Sequence, residues 1–106
     1  MTINSFAALI KSIDPSAARY DAIGQKGDAY TVYADYHTRV LYGNGSPAAT
    51  AVSVQVDYFT KQENDPRAQA FFVAFTGNEE ITCEYSTDFE ADTRYIHHIY
   101  DCEVMQ

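Results

Sequence analysis

Ala51-Val-Ser-Val-Gln-Val-Asp-Tyr-Phe-Thr-Lys-Gln-Glu-Asn-Asp-Pro-Arg-Ala-Gln-Ala-Phe-Phe72 is the stretch on which the fold turns. Its first half alternates. Val52, Val54, Val56 and Tyr58 fall on one side at a period of two, with Ser53, Gln55 and Asp57 on the other. That is the pattern of a strand with one face on a core. The pattern breaks at Gln62-Glu-Asn-Asp. Asp65 followed by Pro66 is a helix start: the carboxylate can accept from first-turn amides, and proline at the first helical position has no amide to leave unsatisfied. Ala68, Phe71, Phe72 and Phe75 then recur at helical spacing, and Gly77 is placed to end the helix.

Working outward, Phe6, Leu9, Ile10 and Ile13 make one helical stripe, with Thr2 or Asn4 as candidate caps and Asp14-Pro15 as the stop. Residues 16–25 are ambiguous. Ala17, Ala18 and Ala22 permit a helical turn, whereas Arg19-Tyr20 could begin an edge strand. Gly24 and Gly27 make the next stretch a loop. Residues 29–36 read as a strand and Arg39-Val-Leu-Tyr as a short second one. Gly43-Asn-Gly-Ser-Pro reads as a mobile connection, a hairpin or flexible arm. Two final strands follow. One carries Ile81, Cys83 and Tyr85 on a face. The other runs from Thr93 to Val104, and Ser86 to Asp92 forms an acidic turn between them. Short links between successive strands imply antiparallel pairing. The expected fold is therefore one domain over residues 1–106, a two-layer α+β structure. Its antiparallel sheet has four to five strands, with two helices packed on one face.

Composition narrows the function. The 106 residues are 46% hydrophobic, too apolar for a disordered chain. Nine Tyr and six Phe suit a partly covered sheet or a surface that meets other proteins. The formal charge is −8, with only seven Lys and Arg, so specific nucleic-acid binding and anionic membranes are disfavoured. No apolar run reaches the roughly 18 residues of a membrane span, and no signal peptide is evident. The expectation is a protein of the cytosol with Cys83 and Cys102 reduced and buried.

No motif carries obvious chemistry. His97 and His98 are adjacent, so in a strand they point to opposite faces and cannot easily share a metal ion. His98 is expected on the core side, and His97 toward solvent or a neighbouring subunit. Both cysteines fall on apolar strand faces, which favours packing over an activated thiolate. Asp88, Glu90 and Asp92 are spaced by two but lack the glycine and ligand number of a calcium loop. Gly43-Asn-Gly-Ser-Pro lacks the Gly-Lys-Ser/Thr of a phosphate loop. The expectation is no enzyme, no metal and no cofactor.

Four pieces in order carry a resemblance: Tyr30-Thr-Val-Tyr, Ala51 to Lys61, the Asp65-Pro66 helix, and Tyr95-Ile-His-His-Ile-Tyr-Asp-Cys-Glu-Val. Together they resemble the small tail-terminator (tail-completion) proteins of long-tailed bacteriophages and prophages, over about residues 1–104. The resemblance implies a structural virion protein, made in the bacterial host cytoplasm and placed in the virion tail. It would form a ring, commonly a hexamer, at the head-proximal end of the tail. Such a ring stops tube growth and docks the head connector. The implied partners are other copies of the chain, the major tail protein and head-connector proteins. The chain departs from that pattern in a longer glycine-rich link after Arg39 and in its acidity. Tyr33, Tyr36, Arg39, Tyr42, Gln55, Asp57, Asp88, Glu90, Asp92 and His97 are the expected subunit or partner contacts. The competing expectation, from charge alone, is an acidic interaction module, such as a DNA-mimicking inhibitor of a basic host protein.

Overall fold

A computed structural model of the chain describes residues 1–21 and 27–106. In chain order the elements are helix α1 (Ile3–Ile13), strands β1 (Ala18–Arg19), β2 (Ala29–Gly43) and β3 (Ser46–Thr60), helix α2 (Pro66–Thr76), and strands β4 (Ile81–Glu90) and β5 (Tyr95–Met105). The five strands form one sheet in the order β1-β2-β3-β5-β4, so β3 is central. The fold is α+β, as the sequence predicts.

The strand-to-helix switch behaves as read. Val54 and Val56 are fully buried, and Tyr58 nearly so. Phe71 packs on Tyr58 and Tyr100 with ring centroids 5.7 and 5.8 Å apart. Phe75 meets Phe6 of α1 at 5.3 Å, which joins the two helices over the sheet. Burying a side chain of this kind contributes about 1.5–3 kcal/mol, so this row is the main source of stability. Thr2 caps α1, accepting from the Ser5 amide at 3.0 Å, and Asp65 caps α2, accepting from the Arg67 amide at 2.8 Å. Gly77 closes α2, its amide donating to the Val73 carbonyl. A Cβ on Gly77 would lie 2.8 Å from that oxygen, so no other residue fits without a shift.

Three expectations change. First, the sheet is mixed. β1 pairs with β2 in parallel, Ala18 opposite Val32. The cause is a tether: the buried Asp14 carboxylate accepts from the Thr31 hydroxyl at 2.6 Å, and Ala17 sits in the core. The chain leaving α1 is thus pinned beside the start of β2 and runs along it in the same direction. The loop expected over residues 24–27 lies, apart from Gly27, outside the described residues, as does Ala22. Second, residues 39–42 are no separate strand. They continue β2, and Asn44-Gly45 closes a tight hairpin with Gly43 opposite Ser46. Both turn residues have positive φ, 53° and 79°, the geometry of the two-residue turn that Asn-Gly favours. Pro47 is tolerated because β3 is an outer strand there. Third, β4 runs through the expected acidic turn, so Asp88 and Glu90 are strand residues. The actual turn is 91–94, with the Arg94 amide donating to the Glu90 carbonyl at 2.7 Å.

Candidate functional site

The helices cover one face of the sheet and leave the other open. Register assigns the open-face residues. On β3 they are Ser53, Gln55, Asp57 and Phe59. On β5 they are Tyr95, His97, Ile99, Asp101 and Glu103, and on β4 they are Thr82, Glu84, Ser86, Asp88 and Glu90. Six carboxylates therefore share this face: Asp57, Glu84, Asp88, Glu90, Asp101 and Glu103. Glu84 stands directly opposite Asp101, a like-charge pair that costs stability. Around them the polar groups are knitted together. The Tyr36 hydroxyl donates to Asp101 at 2.7 Å, Arg39 pairs with Glu103 at 2.7 Å, and His97 Nε2 meets Asp57 Oδ1 at 2.7 Å. Gln55 also donates to Asp57, at 2.9 Å. At one end Tyr30, Phe59, Tyr95 and His97 form an aromatic patch, with Tyr30 and His97 stacked on Phe59 at 4.6 and 4.1 Å. The Asp101 bond draws the Tyr36 phenol up from its ordinary pKa, with its small burial adding to this.

At the other end the sheet narrows to a ribbon. β5 ends opposite Ala51, so residues 40–50 of the β2–β3 hairpin extend past it as two strands, about 15 Å of arm by strand rise. The molecule measures 51 × 26 × 24 Å. Tyr42 is 68% exposed, and Val40 is exposed as well. A bulge at Tyr36 sits at the root of the arm, between Asp35 opposite Val54 and His37 opposite Ser53.

A second feature lies on the helix side. A cavity of about 500 Å³ opens between α2 and β4–β5, lined by Asn64, Asp65, Ala68, Gln69, Phe72, Tyr85 and His98. Phe72 was read as a core residue, but it is partly exposed and meets Tyr85 edge-on at 5.4 Å. The Tyr85 hydroxyl lies 2.7 Å from His98 Nδ1. Burial depresses the His98 pKa, with His97 adding to it and Asp65 opposing it, so the ring favours its neutral form. Below the cavity Asp65 accepts from the hydroxyls of Tyr58 at 2.7 Å and Thr60 at 2.6 Å. Burial alone would raise this carboxyl. The Thr60 and Tyr58 bonds and the Arg67 and Ala68 amides outweigh it, and the pKa is held below the ordinary value.

The structure gathers most of the sequence-derived contact residues. Gln55, Asp57, Asp88, Glu90 and His97 share the open face. Tyr36 and Arg39 reach onto it from the arm root, and Tyr42 stands on the arm. Asp92 lies in the exposed β4–β5 turn. Tyr33 does not join them. It is 5% exposed and belongs to the core, because the Thr31-Tyr33 side of β2 faces the helices. Sequence reading missed Glu84, Asp101 and Glu103. Their alternation was visible, but the facing of β4 against β5 was not. Cys102 is buried as expected, whereas Cys83 is only half buried.

Among the described residues, no three His, Cys, Asp or Glu side chains converge as metal ligands. Among those residues, too, no helix is long and apolar enough to cross a membrane. No protein-family model matches the chain, and no curated protein matches it at a significant level.

Proposed function

We propose that the chain is a structural assembly subunit of a phage tail, a terminator that forms a ring at the head-proximal end, with six copies as the family resemblance implies. The observation that supports it best is the projecting β2–β3 arm. It reaches past the sheet body, is tied at its root by the Gln106 amide donating to the Thr50 carbonyl at 2.9 Å, and carries Tyr42 and Val40 exposed. Ordering such a ribbon is costly unless something meets it. The arm lies at one end of the molecule, and the β4 edge and the α2 cavity offer quite different surfaces elsewhere. Unlike patches meeting head to tail make a heterologous contact, and heterologous contacts close into rings. Exposed tyrosines are effective anchors in such contacts. The protein would end tube growth and present a docking surface to the head connector, without catalysis.

Light scattering and negative-stain microscopy of the purified protein test this reading. The expected result is a closed ring that binds tail tubes, and loss of the ring when residues 40–50 are replaced by Asn-Gly. A strictly monomeric protein that never caps tubes refutes it.

A second reading is favoured by a separate observation. The excess of carboxylates on the open face, six against Arg39 and the Lys61 ammonium over the Tyr95 ring, suits a basic protein partner. This reading expects tight, salt-sensitive binding to such a partner, weakened by Glu84→Gln with Asp101→Asn. Binding indifferent to salt and to both substitutions removes it.

A further inference from the structure

Cys83 and Cys102 are far apart in sequence, but the β4–β5 register sets them directly opposite each other. The kind of pair they form follows from one bond. The Met105 amide donates to the Glu80 carbonyl at 2.8 Å, which makes Glu80 and Met105 a hydrogen-bonded pair. Antiparallel pairs alternate. Ile81 with Val104 is therefore non-hydrogen-bonded, Thr82 with Glu103 hydrogen-bonded, and Cys83 with Cys102 non-hydrogen-bonded. Pairs of that type bring Cα atoms to about 4.5 Å with their side chains close together. Disulfides span Cα separations of about 4.4–6.8 Å. Both side chains also lie on the helix side of the sheet, beside Ile81, Tyr100 and Val104. No backbone movement is needed to join them.

We propose that Cys83 and Cys102 are a reversible dithiol–disulfide clip that fastens the edge strand β4 to β5. The two thiols are unequal in a way that suits the chemistry. Cys83 is only partly buried, while Cys102 is 2% exposed. The hydrogen bond from Cys102 lowers the Cys83 pKa, and the same contact, reinforced by burial, raises that of Cys102. Cys83 is thus the attacking group and Cys102 the resolving one. The oxidant is a low-molecular-weight disulfide. The Cys83 thiolate attacks one of its sulfurs, forms a mixed disulfide and expels one small thiolate, which takes up a proton. Cys102 then loses its proton and attacks Cys83 Sγ, expelling the second small thiol. Two protein thiols give up two electrons and two protons in all, and the small disulfide becomes two thiols. The clip closes a loop of about 20 residues and restrains the outer strand of the sheet. It does not depend on what the protein assembles with.

Intact-mass spectrometry and thiol titration of the folded protein, incubated with oxidised glutathione, test the clip. Wild-type protein should lose both free thiols and two hydrogens and retain no glutathione. Cys102→Ser should stop with one glutathione attached, and Cys83→Ser should stay unmodified while folded. A wild-type protein that keeps a glutathione adduct, links only between molecules, or remains a dithiol against a full excess of oxidised glutathione overturns the proposal.

Discussion

Replacing Asp65 with alanine should cost far more than an average surface substitution. Asp65 is 9% exposed and serves several donors at once: the Arg67 and Ala68 amides and the hydroxyls of Tyr58 and Thr60. Losing the cap costs about 1 kcal/mol. The Tyr58 hydroxyl is buried beside the Thr60 hydroxyl, and taking the carboxylate away from such a buried donor costs about 1–3 kcal/mol. Thr60 loses less, because its oxygen still accepts from the Gln62 amide. The sum is about 3 kcal/mol, a large part of a typical total of about 5–15 kcal/mol. For a domain of this size that is a fall in melting temperature of roughly 10–20 °C. Thermal and urea unfolding measure it. Tyr58→Phe removes the stranded donor, so Asp65→Ala should cost less in that background than alone. The effect also has a pH signature. The folded pKa of Asp65 is depressed, so its stabilisation is present above the unfolded carboxylate value, about 4, and is lost as pH falls through the lower folded value. Asp14 behaves alike. Burial raises it, but hydrogen bonds from Thr31 and Ser16 and the nearby Arg67 hold it low. Asp65→Ala should therefore flatten the acid limb of the stability curve without abolishing it. An Asp65→Ala protein melting within about 2 °C of wild type would refute the reasoning.

Other substitutions should separate core, groove, arm and surface. Phe75→Ala, which removes a fully buried ring in contact with Phe6, Phe71 and Tyr100, should cost about 3–5 kcal/mol by urea unfolding, and Phe72→Ala clearly less. Gly45→Val places a β-branched residue at φ +79°. It should loosen the hairpin tip, seen as faster amide exchange there, while the melting of the body moves by only a few degrees. Arg39→Ala removes an exposed ion pair to Glu103 and should change stability by less than about 1 kcal/mol, with even that difference fading in high salt.

The central part of the fold was legible because local signals agreed. Period-two valines, the Asp65-Pro66 cap and the phenylalanine stripe all point to one strand followed by one helix that covers it. The legible part ended where long-range geometry decides. Nothing local says that Asp14 will bond Thr31 and turn β1 parallel to β2. Gly43-Asn-Gly-Ser-Pro reads as a hairpin or a flexible arm, and the hairpin is what forms, but nothing local shows how far its two strands run. Tyr33 and Tyr36 look alike in the sequence. Only the sheet's choice of which face to cover buries the first and exposes the second. The open-face carboxylates were half visible. Asp57, Asp88 and Glu90 were picked out one by one, but their gathering with Glu84, Asp101 and Glu103 depends on register between strands distant in sequence.

The bulge at Tyr36 has a consequence for how the arm is aimed. One extra residue in β2 shifts the phase of the strand, so Arg39, an odd-numbered residue like Tyr33, arrives on the opposite face and finds Glu103. A bulge also bends its strand and tightens the local twist. The direction in which the ribbon leaves the body is thus written into the covalent chain at a single position. Deleting Tyr36 would keep every pairing partner yet straighten the ribbon, pointing the same side chains at a different place in space.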